Sequence, residues 1–184
     1  MPRILIDSFC LSFMTALAAL VFTSTAIALD DTDETFLSEM TRHSLALEQR
    51  ILEEGRPLTD SERTMALQAK VQYPDRVRIL TLDAVPLPEE ALLRQKLEEY
   101  GVLKLIGRAK GAAKGYGIIV TTSGAQWRTV IAHELVHVGQ YERLGGIAEL
   151  MRYHLPDLKA NGYRRSELED EAYRRAADIV GTSL

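Results

Sequence analysis

Phe36, Met40, His43, Leu47 and Ile51 recur at helical spacing, and Leu37, Leu45 and Leu52 widen the apolar stripe. This pattern predicts an amphipathic helix that ends near Gly55 and Pro57. Thr59-Asp60-Ser61-Glu62 reads as a capping box, in which the first hydroxyl and the fourth carboxylate each take a backbone N–H at a helix start. The helix it opens runs to about Val71 and is stopped by Tyr73-Pro74-Asp75, because a residue before proline disfavours helical backbone. Val77 to Leu82, rich in β-branched and apolar residues, predicts a strand. Pro88 fits the first turn of a helix carrying Leu92, Leu93, Leu97 and Tyr100, closed by Gly101. Gly107 to Gly117 is rich in glycine and lysine and predicts a mobile loop. It is no phosphate-binding loop, since no Gly-Lys-Ser/Thr follows.

Tyr116 to Thr121 predicts a second strand that leads within a few residues into a third long helix. Thr122 or Ser123 can cap that helix, and Gly145-Gly146 can end it. Between Val130 and Gln140 its only acidic or basic side chain besides histidine is Glu134, so the segment reads as buried. A shorter helix from Ile147 to His154 follows, then a turn region at Pro156, Asn161 and Gly162. Ser166-Glu167-Leu168-Glu169 is another capping box, opening a last helix to about Val180. The elements add up to an α+β, mostly helical chain with a small sheet.

Composition adds a targeting segment. Phe9 to Val21 is apolar or small behind Arg3, and Ala26-Ile27-Ala28 matches the small-x-small pattern of signal-peptidase cleavage. Residues 1–28 are thus expected to be a signal peptide. Residues 29–184 then form a single domain, with 29–75 a helical N-terminal part and 76–184 a catalytic core. Export to the bacterial periplasm or beyond is implied. The rival is an uncleaved membrane anchor, since Phe9 to Leu29 is long enough to span. Cys10, inside the apolar run, is the only cysteine, so an exported chain must rest on its core or on a core plus a metal. A net charge of -4 argues against nucleic acid, which needs a basic face.

His133-Glu134-Leu135-Val136-His137 changes the picture most. Histidines four residues apart on a helix project from one face, so both imidazoles can hold one zinc ion. Glu134 is then placed to take a proton from a zinc-bound water. The competing reading is a pair of core histidines satisfied by backbone or water. A catalytic zinc takes three protein ligands and leaves a position for water. Glu169 is the expected third ligand: with Ala172 and Tyr173 it shares one face of the last helix, and Ala172 is small enough for close helix approach. Glu169 could instead serve only as the fourth residue of the Ser166 capping box. Glu171 is the next choice, and His154 a further one. Asp170 and Glu167 are expected to face solvent, and His43 to be an ordinary histidine on an apolar stripe.

The histidine motif followed by Glu169-Asp170-Glu171-Ala172-Tyr173 resembles the gluzincin pattern of zinc peptidases. Within that group the stretch Ala132 to Gly145, preceded by a strand like Tyr116-Gly117-Ile118, is similar to small bacterial exported proteins. The resemblance covers about Val77 to Ala176 and implies a zincin-like fold, with zinc on His133, His137 and Glu169. Tyr173 departs from it, since many gluzincins carry an aspartate there that orients a ligating histidine. Asp170, Glu171 or Asp178 are candidates to compensate. Tyr163 is the first expected oxyanion donor, ahead of Arg164, Tyr116 and His154. The Tyr116–Thr121 strand is expected to be a sheet edge that pairs with an extended peptide substrate. The function expected is an exported zinc metallopeptidase acting on peptides or proteins. A non-catalytic zinc-binding envelope protein is the alternative, and a helical envelope protein without metal the third reading.

Overall fold

The structure is a computed structural model. It describes residues 29–123 and 127–181, with the side chain of Arg164 excepted. The expected signal segment, residues 1–28, lies outside the described residues, as does Cys10.

Helix α1 (Asp31–Glu54) starts at a reciprocal capping box, in which Asp30 accepts from the Asp33 N–H and Asp33 from the Asp30 N–H. The buried Asp33 also accepts from Lys159 Nζ at 2.7 Å and from the Tyr100 hydroxyl at 3.2 Å. Helix α2 (Asp60–Gln68) has the expected Thr59/Glu62 capping box. Arg56 donates twice to Glu62, at 2.7 Å each, which fixes the chain between α1 and α2. The helix stops at Gln68, earlier than its apolar pattern suggests, and a 3-10 turn at Pro74–Arg76 follows.

The sheet has order β1-β2-β4-β3. Its strands are β1 (Arg56–Pro57), β2 (Arg78–Leu82), β3 (Gly111–Lys114) and β4 (Gly117–Thr121). β2 and β4 are parallel, with Ile79 opposite Ile118, and β3 pairs antiparallel to β4 with Ala113 opposite Ile118. The Gly107–Gly117 segment is therefore ordered structure, not a mobile loop. Helix α4 (Leu103–Ile106) leads into β3, and Gly115, at φ 57°, turns β3 back into β4. Gly-Ala-Ala-Lys carries no strand signature of its own; pairing with β4 and packing of Ala113 beneath the next helix override weak local preference. The expected substrate-facing edge is corrected too: β4 is interior and every residue in it is buried, and the edges are β1 and β3.

Helix α3 (Ala91–Glu99) is capped at Glu90, with Pro88 in the approach rather than in the first turn. Helix α5 (Trp127–Leu144) carries the histidine motif. Thr122 donates to Asp83 and Ser123 accepts from Lys110, so both hydroxyls brace the turn after β4. Helix α6 (Ile147–Asn161) continues through Pro156 instead of ending at His154. Proline costs a helix one backbone bond, but the next turn buries Leu155 and packs Leu158 against Phe36, Leu37 and Leu97. Helix α7 (Glu167–Val180) is the last described element.

The main core lies between the sheet and α5, with α2 and α7 on its flanks; Ile118, Val120, Ala132, Leu135, Val136 and Ala172 are fully buried in it. A second cluster joins α1, α3 and α6. The chain is α+β and mostly helical, as the hydrophobic pattern predicts. No described helix is long and apolar enough to cross a membrane.

Candidate metal centre

α5 presents its apolar side to the sheet, with Ile131, Leu135 and Val138 buried there, and turns His133 and His137 toward α7. Ala172 and Ala176 let α7 lie close against it, and Glu169 is carried in from the first turn of α7. His133 Nε2 lies 3.1 Å from His137 Nε2 and 3.4 Å from Glu169 Oε2, and His137 Nε2 lies 3.3 Å from Glu169 Oε1. Donors held at about 2.0–2.2 Å from a tetrahedral ion sit roughly 3.3–3.6 Å apart. The three side chains therefore form one face of such a tetrahedron, within about 0.2 Å per edge. They are a group that can hold a metal ion. Two imidazoles and a carboxylate suit zinc among divalent metals.

The tautomer of His137 agrees with this, while the buried Nδ1 of His133 has no hydrogen-bond partner among the described residues. Gln140, fully buried three residues after His137, donates its amide to the Leu168 carbonyl at 2.9 Å and to Glu171 at 3.0 Å. Its carbonyl oxygen is thus the atom 2.7 Å from His137 Nδ1, which must donate. With Nδ1 as the donor, Nε2 is the atom aimed into the cluster, and it can bind a metal once its own proton is released. Glu171 is gripped in turn by both guanidinium nitrogens of Arg143, at 2.8 and 3.0 Å, and by Arg175 at 3.1 Å. This chain of contacts orients His137, the task the resemblance gives to an aspartate at position 173. Tyr173 instead lays its ring on His133, with centroids 4.5 Å apart. The sequence signal for Gln140 is an uncharged polar residue on the buried side of the motif helix, about one turn past the second histidine.

The electrostatics favour a cation. Burial works against a charged His137, but contact with Glu169 and the charge of Glu134 raise its pKa to about 9. Burial would push Glu169 up, yet the two histidines and the Tyr163 hydroxyl hold it well below the usual carboxylate range. Glu134 is buried and its pKa is raised by that burial, against the lowering pull of His133, His137 and the Ala113 N–H. A carboxylate with a raised pKa is a stronger base. Gly111 on the edge strand makes room for it: a Cβ there would lie 2.7 Å from Glu134 Oε1.

The other candidates sort themselves by contact. Glu171, tied to Gln140 and the arginines, is not part of the ligand triangle, and Ser166 makes no side-chain cap bond, so Glu169 does not act as a cap partner. Asp170 pairs with exposed Arg174, and Glu167 accepts from Tyr153. Tyr163 lines the same cavity and spends its hydroxyl on Glu169. His154 and His43 line that cavity without joining the triangle. Tyr116 lies on another face, under the Arg76 guanidinium at 4.0 Å. No family model, curated protein or solved structure matches the chain.

Proposed function

We propose that this chain is an exported zinc-dependent metallopeptidase with a zincin-like fold. The observation that carries the reading is the His133–His137–Glu169 triangle, with edges of 3.1–3.4 Å, sharing a cavity with a buried carboxylate of raised basicity. His133, His137 and Glu169 would hold the zinc. Bound zinc would polarise a peptide carbonyl and lower the pKa of a water toward about 7. Glu134 accepts the proton of the attacking water on its carboxylate and returns one to the leaving amine. Gln140 keeps the His137 ring in register through the Nδ1 hydrogen bond. Tyr163, bonded to Glu169, lines the same cavity, from which it would turn its hydroxyl to a developing oxyanion. Residues 1–28 would direct the chain to the periplasm or outside the cell.

The test is hydrolysis of a broad peptide library by the zinc-loaded chain and its Glu134→Gln variant. Wild type is expected to cleave, and the variant to lose about 10²–10⁴-fold in rate with zinc still bound. Zinc binding with no cleavage of any peptide would favour the non-catalytic zinc-binding protein. Equal activity of the variant would contradict the role of Glu134.

A further inference from the structure

The metal triangle opens into a chamber of about 620 Å³. Its far wall comes from outside the motif region: Phe36, Leu37 and Met40 of α1, Leu97 of α3, and Leu155 and Leu158 of α6. That volume lies in the range of small-molecule sites and exceeds what one small side chain fills. The charges around it are one-sided. Apart from Glu134 and Glu169 at the metal cluster, the charged lining residues are Arg108, Lys110 and Lys114, with no further acid among the described residues. Arg108 and Lys110 are exposed, and Lys110 donates to Ser123. Lys114, at the end of the edge strand, is half-buried. It makes no ion pair or hydrogen bond among the described residues, and burial lowers its pKa against the pull of Glu134. His43, its neighbour on α1, supplies no negative charge. Glu134 is the acid whose charge Lys114 feels, and Lys114 has no hydrogen-bonded anion of its own among the described residues, so a ligand carboxylate entering the chamber would supply one.

We propose that the chamber receives the C-terminal end of a peptide, with a bulky apolar last residue against the α1–α6 wall and its free carboxylate on Lys114. This specificity rests on the peptidase reading above for its consequence, but it is a property of binding and can be tested without turnover.

The experiment is calorimetric titration of the zinc-loaded Glu134→Gln chain, and of the metal-free wild type in which Glu134 stays beside Lys114, with an N-acetylated peptide ending in leucine, as free acid and as C-terminal amide. The acid is expected to bind at least tenfold tighter than the amide, and tighter than the same peptide ending in alanine. Lys114→Met should bring the acid-to-amide ratio close to one, and Lys114→Arg should preserve the preference, which separates charge from a folding defect. Equal affinity for acid and amide, an unchanged ratio in Lys114→Met, or no binding of either peptide overturns the proposal. Acid preference together with an inactive wild type would sink the peptidase reading and leave this one standing.

Discussion

Gln140 holds the imidazole of His137 by a neutral carboxamide whose other end is fixed by a carbonyl and by Glu171. A histidine ligand is as good as the group that fixes its tautomer, and losing such a group typically costs about 10–100-fold in metal affinity. Gln140→Ala is expected to weaken zinc by that factor in chelator competition. Gln140→Glu keeps an acceptor at Nδ1 but turns an oxygen toward the Leu168 carbonyl and the Glu171 carboxylate, so it should not restore the affinity; equal affinity of Gln140→Ala and wild type would show that the contact orients nothing. Gly111→Ala tests the neighbouring constraint. Its methyl group would press on Glu134 Oε1, so peptide hydrolysis should fall with zinc affinity little changed. A loss of zinc in parallel would mean that the damage spreads beyond the base.

Among the elements, α1 and α6 are tied by Asp33. Burial raises its pKa, but the Lys159 hydrogen bond, the Asp30 N–H and Tyr100 outweigh this and leave it below its ordinary 3.8. A carboxylate depressed in the folded state stabilises above its unfolded pKa, and that stability is lost as pH falls through the lower folded value. Asp33→Asn should therefore be less stable than wild type by about 2 kcal/mol near neutral pH, as for a hydrogen-bonded charge. The gap should close in urea denaturation as pH falls below 3.8 and through the lower folded value, and a gap independent of pH would contradict the ionic role. α1, α2, α5 and α7 were legible because their signals are local: apolar spacing, capping boxes and a histidine pair at i and i+4. Glu169 was legible for a related reason, since Ala172 beside it announces a close helix contact. β3 was not, because Gly111-Ala112-Ala113-Lys114 becomes a strand only when β4 and α5 are in place. The passage of α6 through Pro156 was hidden for the same kind of reason, as burial of Leu155 against α1 and α3 decides it.

At the scale of the whole molecule, the ligand triangle joins α5 to α7 across the main core, and the chamber beside it is walled by α1, α3 and α6. No stretch of sequence contains that chamber, which is why residue spacing discloses the His133–His137–Glu169 cluster and not the apolar pocket. A metal bound by two packed helices stabilises the folded state by mass action, about 4 kcal/mol at a thousandfold excess over Kd. For a chain of this size that is a rise in Tm of roughly 10 °C, lost on chelation and restored by zinc. A melting curve indifferent to chelator would place the ion outside the fold's supports. The most direct measurement is equilibrium zinc binding to the purified chain beside its Glu169→Ala variant. One zinc per wild-type chain, with affinity at least a hundredfold weaker in the variant, is the expected result. A wild type that takes up no zinc, or a variant that binds it as tightly as wild type, would contradict the account.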